Sequence, residues 1–204
     1  MNLAAMSSRR WRKAPTPGRL QEMLWSRRPA ETDARDQARR SMTVCFTGHR
    51  RISREEAPKL IQQLDQTLET LYSQGFRYFM NGGALGFDLL AAQRTLMLRQ
   101  RHADVRLIMV LPCGDQTLRW RKSDCERYEA ILYDADETRV LSPSYYEGCM
   151  LVRNRHMVDR SSLCLCYLTK PKGGTVSTVA YAMRQHMPVI NLAMGIKAPP
   201  KGVK

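Results

Sequence analysis

No apolar run in this chain approaches the length that crosses a bilayer, so no membrane association is expected. The six cysteines contain no C-x-x-C pair, and Cys and His do not gather at metal-ligand spacings, so no zinc site is expected. Five of them, Cys45, Cys113, Cys149, Cys164 and Cys166, sit in or beside apolar segments, as reduced and buried thiols do. With no secretory leader visible, that usage fits a cytoplasmic protein. Neither G-x-G-x-x-G nor G-x-x-x-x-G-K-[ST] occurs; Gly82, Gly83 and Gly86 do not fit the first pattern. A standard NAD site and a phosphate-transferring P-loop are therefore disfavoured, and no cofactor is evident. No nucleophile and base stand together either: Ser177 and Thr178 open a helical stretch with no His beside them.

Positive charge is what the chain has in excess. Its 204 residues carry a formal +14. Residues 1–41 hold ten basic against four acidic side chains, which leaves +8 for the remainder. An anionic partner suits both parts, but charge alone does not separate a nucleotide from a polymer. Pro15, Pro17, Pro29 and the scattered arginines make residues 1–41 a basic, mostly disordered extension, with a short helix near Leu20 to Trp25. An Arg-rich, acid-poor start also fits a transit peptide, and Met42 fits a natural start.

From Thr43 onward the pattern is regular. Short apolar strands are expected at Thr43 to Thr47, Phe76 to Met80, Val105 to Leu111, Thr138 to Leu141, Leu163 to Leu168 and Pro188 to Leu192. Helical spacing separates them. A capping box at Ser53 to Glu56 precedes Leu60, Ile61, Leu64, Leu68 and Leu71 on one face. Later helices are expected from about Phe87 to Arg101, around Leu118, Tyr128, Ile131 and Leu132, and on both sides of Leu163 to Leu168. Arg153, Met157 and Arg160 share one helical face by spacing. Strands alternating with helices indicate an α/β, Rossmann-like, doubly wound domain over residues 42–192. Its mostly parallel sheet of about six strands carries helices on both faces, and a short basic tail follows at 193–204.

In such a sheet ligands sit at the carboxyl ends of the strands. Gly48-His49-Arg50, Asn81-Gly82-Gly83, Pro112-Cys113-Gly114 and Lys172-Gly173-Gly174-Thr175 all fall there. A glycine pair between a strand and a helix aims backbone N–H groups outward at the positive end of the helix dipole, which suits a phosphate; it also suits a plain tight turn. Asp88, near a helix start, fits either an acceptor for a ribose hydroxyl or a favourable charge at that terminus. His49 and Arg50 are candidate cationic donors or members of a solvated turn. Arg153 lies among Met150, Leu151 and Met157, so its guanidinium points into a cleft or meets a partner. Trp120, Tyr145 and Tyr146 are candidate stacking faces or half-buried anchors.

Several of these motifs resemble one family. Thr47-Gly48-His49-Arg50, Gly82-Gly83-Ala84-Leu85-Gly86-Phe87-Asp88, Leu111-Pro112-Cys113, Tyr145-Tyr146-x-Gly148-Cys149-Met150, Arg153-Asn154-x-x-Met157-Val158-Asp159 and Gly173-Gly174-Thr175 together resemble the YpsA-like proteins of bacteria. That family is placed in the SLOG superfamily, named for the DNA-processing protein Smf/DprA and the LOG enzymes. The resemblance covers about Met42 to Leu192 and implies a Rossmann-like fold with a pocket for a nucleotide or nucleotide-derived ligand. The superfamily also implies a homodimer. LOG enzymes cleave the N-glycosidic bond of a nucleoside monophosphate with R-E-x-x-M and P-G-G-x-G-T-x-x-E motifs. Against these, Arg153, Met157, Gly173 and Gly174 match. Asn154 stands where a glutamate belongs, Lys172 replaces the proline, Val176 a glycine, Ser177 a threonine, and Ala180 the second glutamate. Breaking that bond builds positive charge on the sugar, and neither Asn nor Ala stabilises it.

Three functions are thus expected in order. The first is binding or sensing of a nucleotide-derived ligand by Gly48, His49, Arg50, Gly82, Gly83, Asp88, Arg153, Asn154, Gly173, Gly174 and Thr175, without LOG-type hydrolysis. The second is a nucleotide hydrolase or transferase whose carboxylate is Asp88, Asp115 or Asp159. The third is single-stranded DNA binding through the basic extension.

Overall fold

Thr43–Gly48 (β1), Tyr78–Asn81 (β2), Arg106–Leu111 (β3), Glu137–Val140 (β4), Leu163–Tyr167 (β5) and Val189–Asn191 (β6) form one sheet in the order β4-β3-β2-β1-β5-β6. Every neighbouring pair is parallel. The structure is a computed structural model that describes residues 33–194. The expected helix near Leu20 to Trp25 and most of the expected tail lie outside those residues. Among the described residues no helix is long and apolar enough to cross a membrane.

The strands are apolar on both faces because helices cover both. On one face Val44, Phe46, Phe79, Leu163 and Leu165 pack against Ala57–Ser73 (α1) and Phe87–Arg101 (α2). Lys122–Asp134 (α3) extends that layer over Leu107, Met109 and Leu111. On the other face Cys45, Met80, Ile108, Cys164 and Cys166 meet Cys149–Asp159 (α4) and Gly174–Arg184 (α5). The five cysteines expected inside are buried. α1 shows how local chemistry sets its bounds. Glu56 N–H donates to Ser53 Oγ at 3.1 Å before its start. At its end Phe76 N–H reaches Leu71 O and Gly75 N–H reaches Tyr72 O, with Gly75 at φ +96°.

Three local details differ from the sequence reading, the first of them for a physical reason. Asp33–Ser41, inside the stretch expected as an extension, is a helix, here α0. It is held by polar contacts that apolar periodicity does not register: Arg39 pairs with Glu137 and lies 4.6 Å over the Tyr78 ring. Leu118 precedes α3 rather than belonging to it and is 80% exposed. Arg160 follows the last turn of α4 and is exposed, whereas Arg153 and Met157 on the expected face are buried.

Candidate functional site

β1 leads through α1 to β2 on one side, and β5 leads through α5 to β6 on the other. The strand order therefore reverses between β1 and β5, and the carboxyl ends of these two strands are where such a sheet places its ligand crevice. Gly48 closes β1 where a Cβ would overlap Phe87. His49 follows with its ring turned toward the β5–α5 loop. Its Nε2 accepts from the backbone N–H of Thr169 at 3.0 Å and of Lys170 at 3.2 Å. In this arrangement His49 is an acceptor, with no proton on Nε2. Arg50 is exposed beside it.

The turn after β2 is filled from within. Asn81, fully buried, accepts from Gly83 N–H at 2.7 Å and donates to Asp88 O at 2.8 Å. Ala84 N–H points at Asp88 Oδ2 from 3.4 Å. Gly82 has no side chain because the Arg153 guanidinium occupies that space; a Cβ there would overlap it. Arg153 donates from Nη1 to Gly82 O and from Nε to Asn154 Oδ1 at 2.7 Å. Asn154 passes the connection on, donating to Thr178 Oγ1 at 2.8 Å, and Thr178 donates to Gly174 O at 2.9 Å. A continuous chain of hydrogen bonds thus ties one glycine turn to the other. Arg153 reaches the Gly173-Gly174 corner through Asn154 and Thr178, not directly.

Burial raises the Asp88 pKa to about 6, against the opposing pull of Arg153, the Ala84 N–H and Arg50. The same burial lowers the Arg153 pKa, with Asp88 acting to raise it. The two charges steady each other inside the domain, and Asp88 offers almost no surface to solvent. Asp115 lies after β3, where its Oδ1 is buried without a hydrogen-bond partner among the described residues. The neighbouring Cys113 thiol is pushed up to about 12 by burial first and by Asp115 and Cys149 next, so it stays protonated. Asp159 lies at the far end of α4 and accepts from Tyr181 Oη at 2.8 Å.

The second glycine turn differs from the first. Around Gly173, at φ +95°, and Gly174 an added Cβ would meet nothing within 4 Å. They begin the 11-residue α5 with no side-chain cap, Gly173 as N-cap. Thr175 behind them is buried. Around the crevice Arg50, Arg51, Arg119, Arg121, Lys170 and Lys172 form no ion pair among the described residues; the ion pairs lie elsewhere. Tyr145 and Tyr146, after β4, are exposed on the same end of the sheet. Among the described residues no three metal-ligating side chains converge. Asn81 and Thr178 organise this end although sequence reasoning gave neither a site role. A position directly before Gly-Gly was the available signal for Asn81, whose side chain makes an Asx-type turn.

A family model for YpsA, described as the YspA SLOG family, matches residues 44–194. The chain is 29% identical over 115 residues to a UPF0398 protein of Halalkalibacterium halodurans, a match covering 55% of this chain and 61% of the relative. It is 28% identical over 103 residues to the UPF0398 protein YpsA of Bacillus subtilis, covering 49% and 57% respectively. The matches thus span about six tenths of the length of these curated relatives. Among solved structures, DNA processing protein A from Streptococcus pneumoniae superposes with a TM-score of 0.54 at 20% identity, over 74% of this chain and 50% of that one. DNA processing protein A from Helicobacter pylori gives 0.52 at 19%, over 77% and 67%. At such identities these two structures speak for a shared fold.

Proposed function

The chain belongs to the YspA SLOG family, and on that premise we propose that it binds a nucleotide or nucleotide-derived ligand at the carboxyl ends of β1 and β5, without hydrolysing its N-glycosidic bond. The observation that carries this reading is the open Gly173-Gly174 corner, a helix N-terminus with free space before it at the point of strand-order reversal. A phosphate there meets backbone N–H groups and the dipole of α5, with Lys170 and Lys172 alongside. His49 shapes the approach by holding the Thr169 and Lys170 amides. Arg153 acts from beneath, as the post that fixes both glycine turns. LOG-type chemistry lacks its carboxylates: Asn154 is engaged by Arg153 and Thr178, Ala180 has no acid, and Asp88 is enclosed.

A thermal-shift panel of nucleoside mono- and diphosphates tests the reading. At a hundredfold excess over Kd a ligand adds about 2.7 kcal/mol, which raises Tm by roughly 5–10 °C for a chain of this size. Gly174→Asp puts a carboxylate into the open space at the first position of α5, where the dipole welcomes it. The unliganded Tm is expected to hold, and the nucleotide shift to vanish. A panel without any shift would refute binding; free base released from a nucleoside monophosphate would refute the absence of hydrolysis.

A second reading follows from the unpaired cations with exposed Tyr145 and Tyr146, since single strands bind where bases stack and phosphates meet cations. The H. pylori neighbour is described by its single-stranded DNA binding mode. If four phosphates are engaged here, log K falls against log salt with a slope of about −3. Changing Lys170 and Lys172 together to Gln then flattens that slope by roughly 1.4. An unchanged slope removes this surface from consideration.

A further inference from the structure

On the sheet face that carries α4 and α5, toward the amino ends of the strands, lies a cavity of about 320 Å³. It is separate from the crevice, since α4 has Arg153 facing Gly82 while Arg160 follows its last turn. Eleven residues of α-helix span about 16 Å. Arg39, Arg40, Arg139 and Arg160 line the cavity together with Asp36 and Asp159.

Two of these arginines are accounted for. Arg39 and Arg139 share Glu137. Arg40 and Arg160 have no ion pair among the described residues, and Arg40 Nε is buried with no hydrogen-bond partner there. Arg160 Nη1 donates to His156 Nδ1 at 3.2 Å, so the His156 proton lies on Nε2. That Nε2 is also buried and unpartnered. Arg40 Nε, a buried donor without an acceptor on the lining, beside four guanidinium groups set against Asp36 and Asp159, calls for acceptor oxygens from outside; His156 meets the lining only through Arg160.

We propose that this cavity is a second anion site that takes a small hydroxylated phosphate ester, its phosphate at Arg40 and Arg160 and its hydroxyls toward Asp36 and Asp159. The volume lies at the lower end of small-molecule sites, which suits a sugar-phosphate-sized ligand. Arginine is the residue that matches phosphate geometry with paired donors. The two carboxylates supply the acceptors that hydroxyl groups need, and Asp159 has Oδ2 left after Tyr181 takes Oδ1.

His156 reports on the site without serving in the crevice. Burial first, then Arg160 and Arg139, bring its pKa down to about 4, with Asp159 opposing them. A phosphate ester bound beside Arg160, a monoanion in the acid range where His156 titrates, counteracts those cations and raises that value. The experiment follows the His156 ring by NMR in the full chain while glycerol 3-phosphate, inorganic phosphate or chloride is added at matched ionic strength. The expected result is a saturable upward shift with glycerol 3-phosphate, a weaker one with inorganic phosphate, and none with chloride. Arg40→Gln abolishes the shift, whereas Gly174→Asp at the crevice leaves it intact. No response to either phosphate in the unaltered chain overturns the site. The same response in Arg40→Gln overturns the assignment of the phosphate, and inorganic phosphate binding more strongly than the ester overturns the ligand class. None of these outcomes depends on whether a nucleotide binds at Gly174.

Discussion

Gly82→Ala is expected to cost the fold about 3–5 kcal/mol, the range for stranding a buried charge, and to lower Tm by roughly 10 °C. A single methyl group ordinarily does far less. Here it competes with the Arg153 guanidinium for one space. Moving the guanidinium breaks its bonds to Gly82 O and Asn154 Oδ1 and withdraws the nearest positive charge from Asp88. Arg153→Ala is expected to cost a similar amount for the same reason. The two changes share one cause, so they do not add: in the Arg153→Ala background, Gly82→Ala becomes close to silent. Gly174→Ala is the control, because its methyl meets nothing, and a shift within about 1 kcal/mol is expected there. Denaturant unfolding of the four variants decides the matter. If Gly82→Ala is as mild as Gly174→Ala, the guanidinium does not rest on that glycine.

The second large effect is a pH dependence that belongs to Asp88. Its folded pKa of about 6 stands above the ordinary 3.8 because the carboxyl is enclosed. Between those two values the folded chain holds a proton that the unfolded chain has released. Stability from this group is therefore complete below about 3.8 and is lost as pH rises through about 6. Glu56, Glu69 and Asp104, whose pKa values are lowered by their partners, act in the opposite sense at the acid end. Comparison with Asp88→Asn cancels them. The stability difference between the unaltered chain and Asp88→Asn is expected to change by roughly 2–2.5 kcal/mol from pH 4 to pH 7, in favour of the variant as pH rises. A difference that stays flat across that range would show that Asp88 titrates as an ordinary exposed acid.

The doubly wound sheet was legible because its strands are short apolar runs bounded by turns, a pattern that depends on neighbours in sequence. All six strands fall within a few residues of where that pattern puts them. Elements held by distant polar contacts were not legible. α0 has no apolar stripe to announce it; its Arg39 is fixed by Glu137, 98 positions away. The glycine pairs show the same limit at the site. Gly82-Gly83 and Gly173-Gly174 look alike as letters, but a side chain 71 positions from Gly82 fills the space in front of it. The space before Gly174 stays open. Sequence suggested Arg153 as an anion donor or an internal partner, and only the fold reveals what it touches. The arginines of the second cavity are likewise dispersed from Arg39 to Arg160 and share no motif.

The outermost strands set how copies of this chain can meet. β6 has three residues and β4 has four, with Glu137 and Arg139 on the latter. An incoming strand would find few backbone groups to bond and, on one border, a pair of charges to desolvate. Stacking into a continuous fibre along the hydrogen-bonding direction is therefore unfavourable, and the long central strands, the natural templates for such growth, are sealed inside.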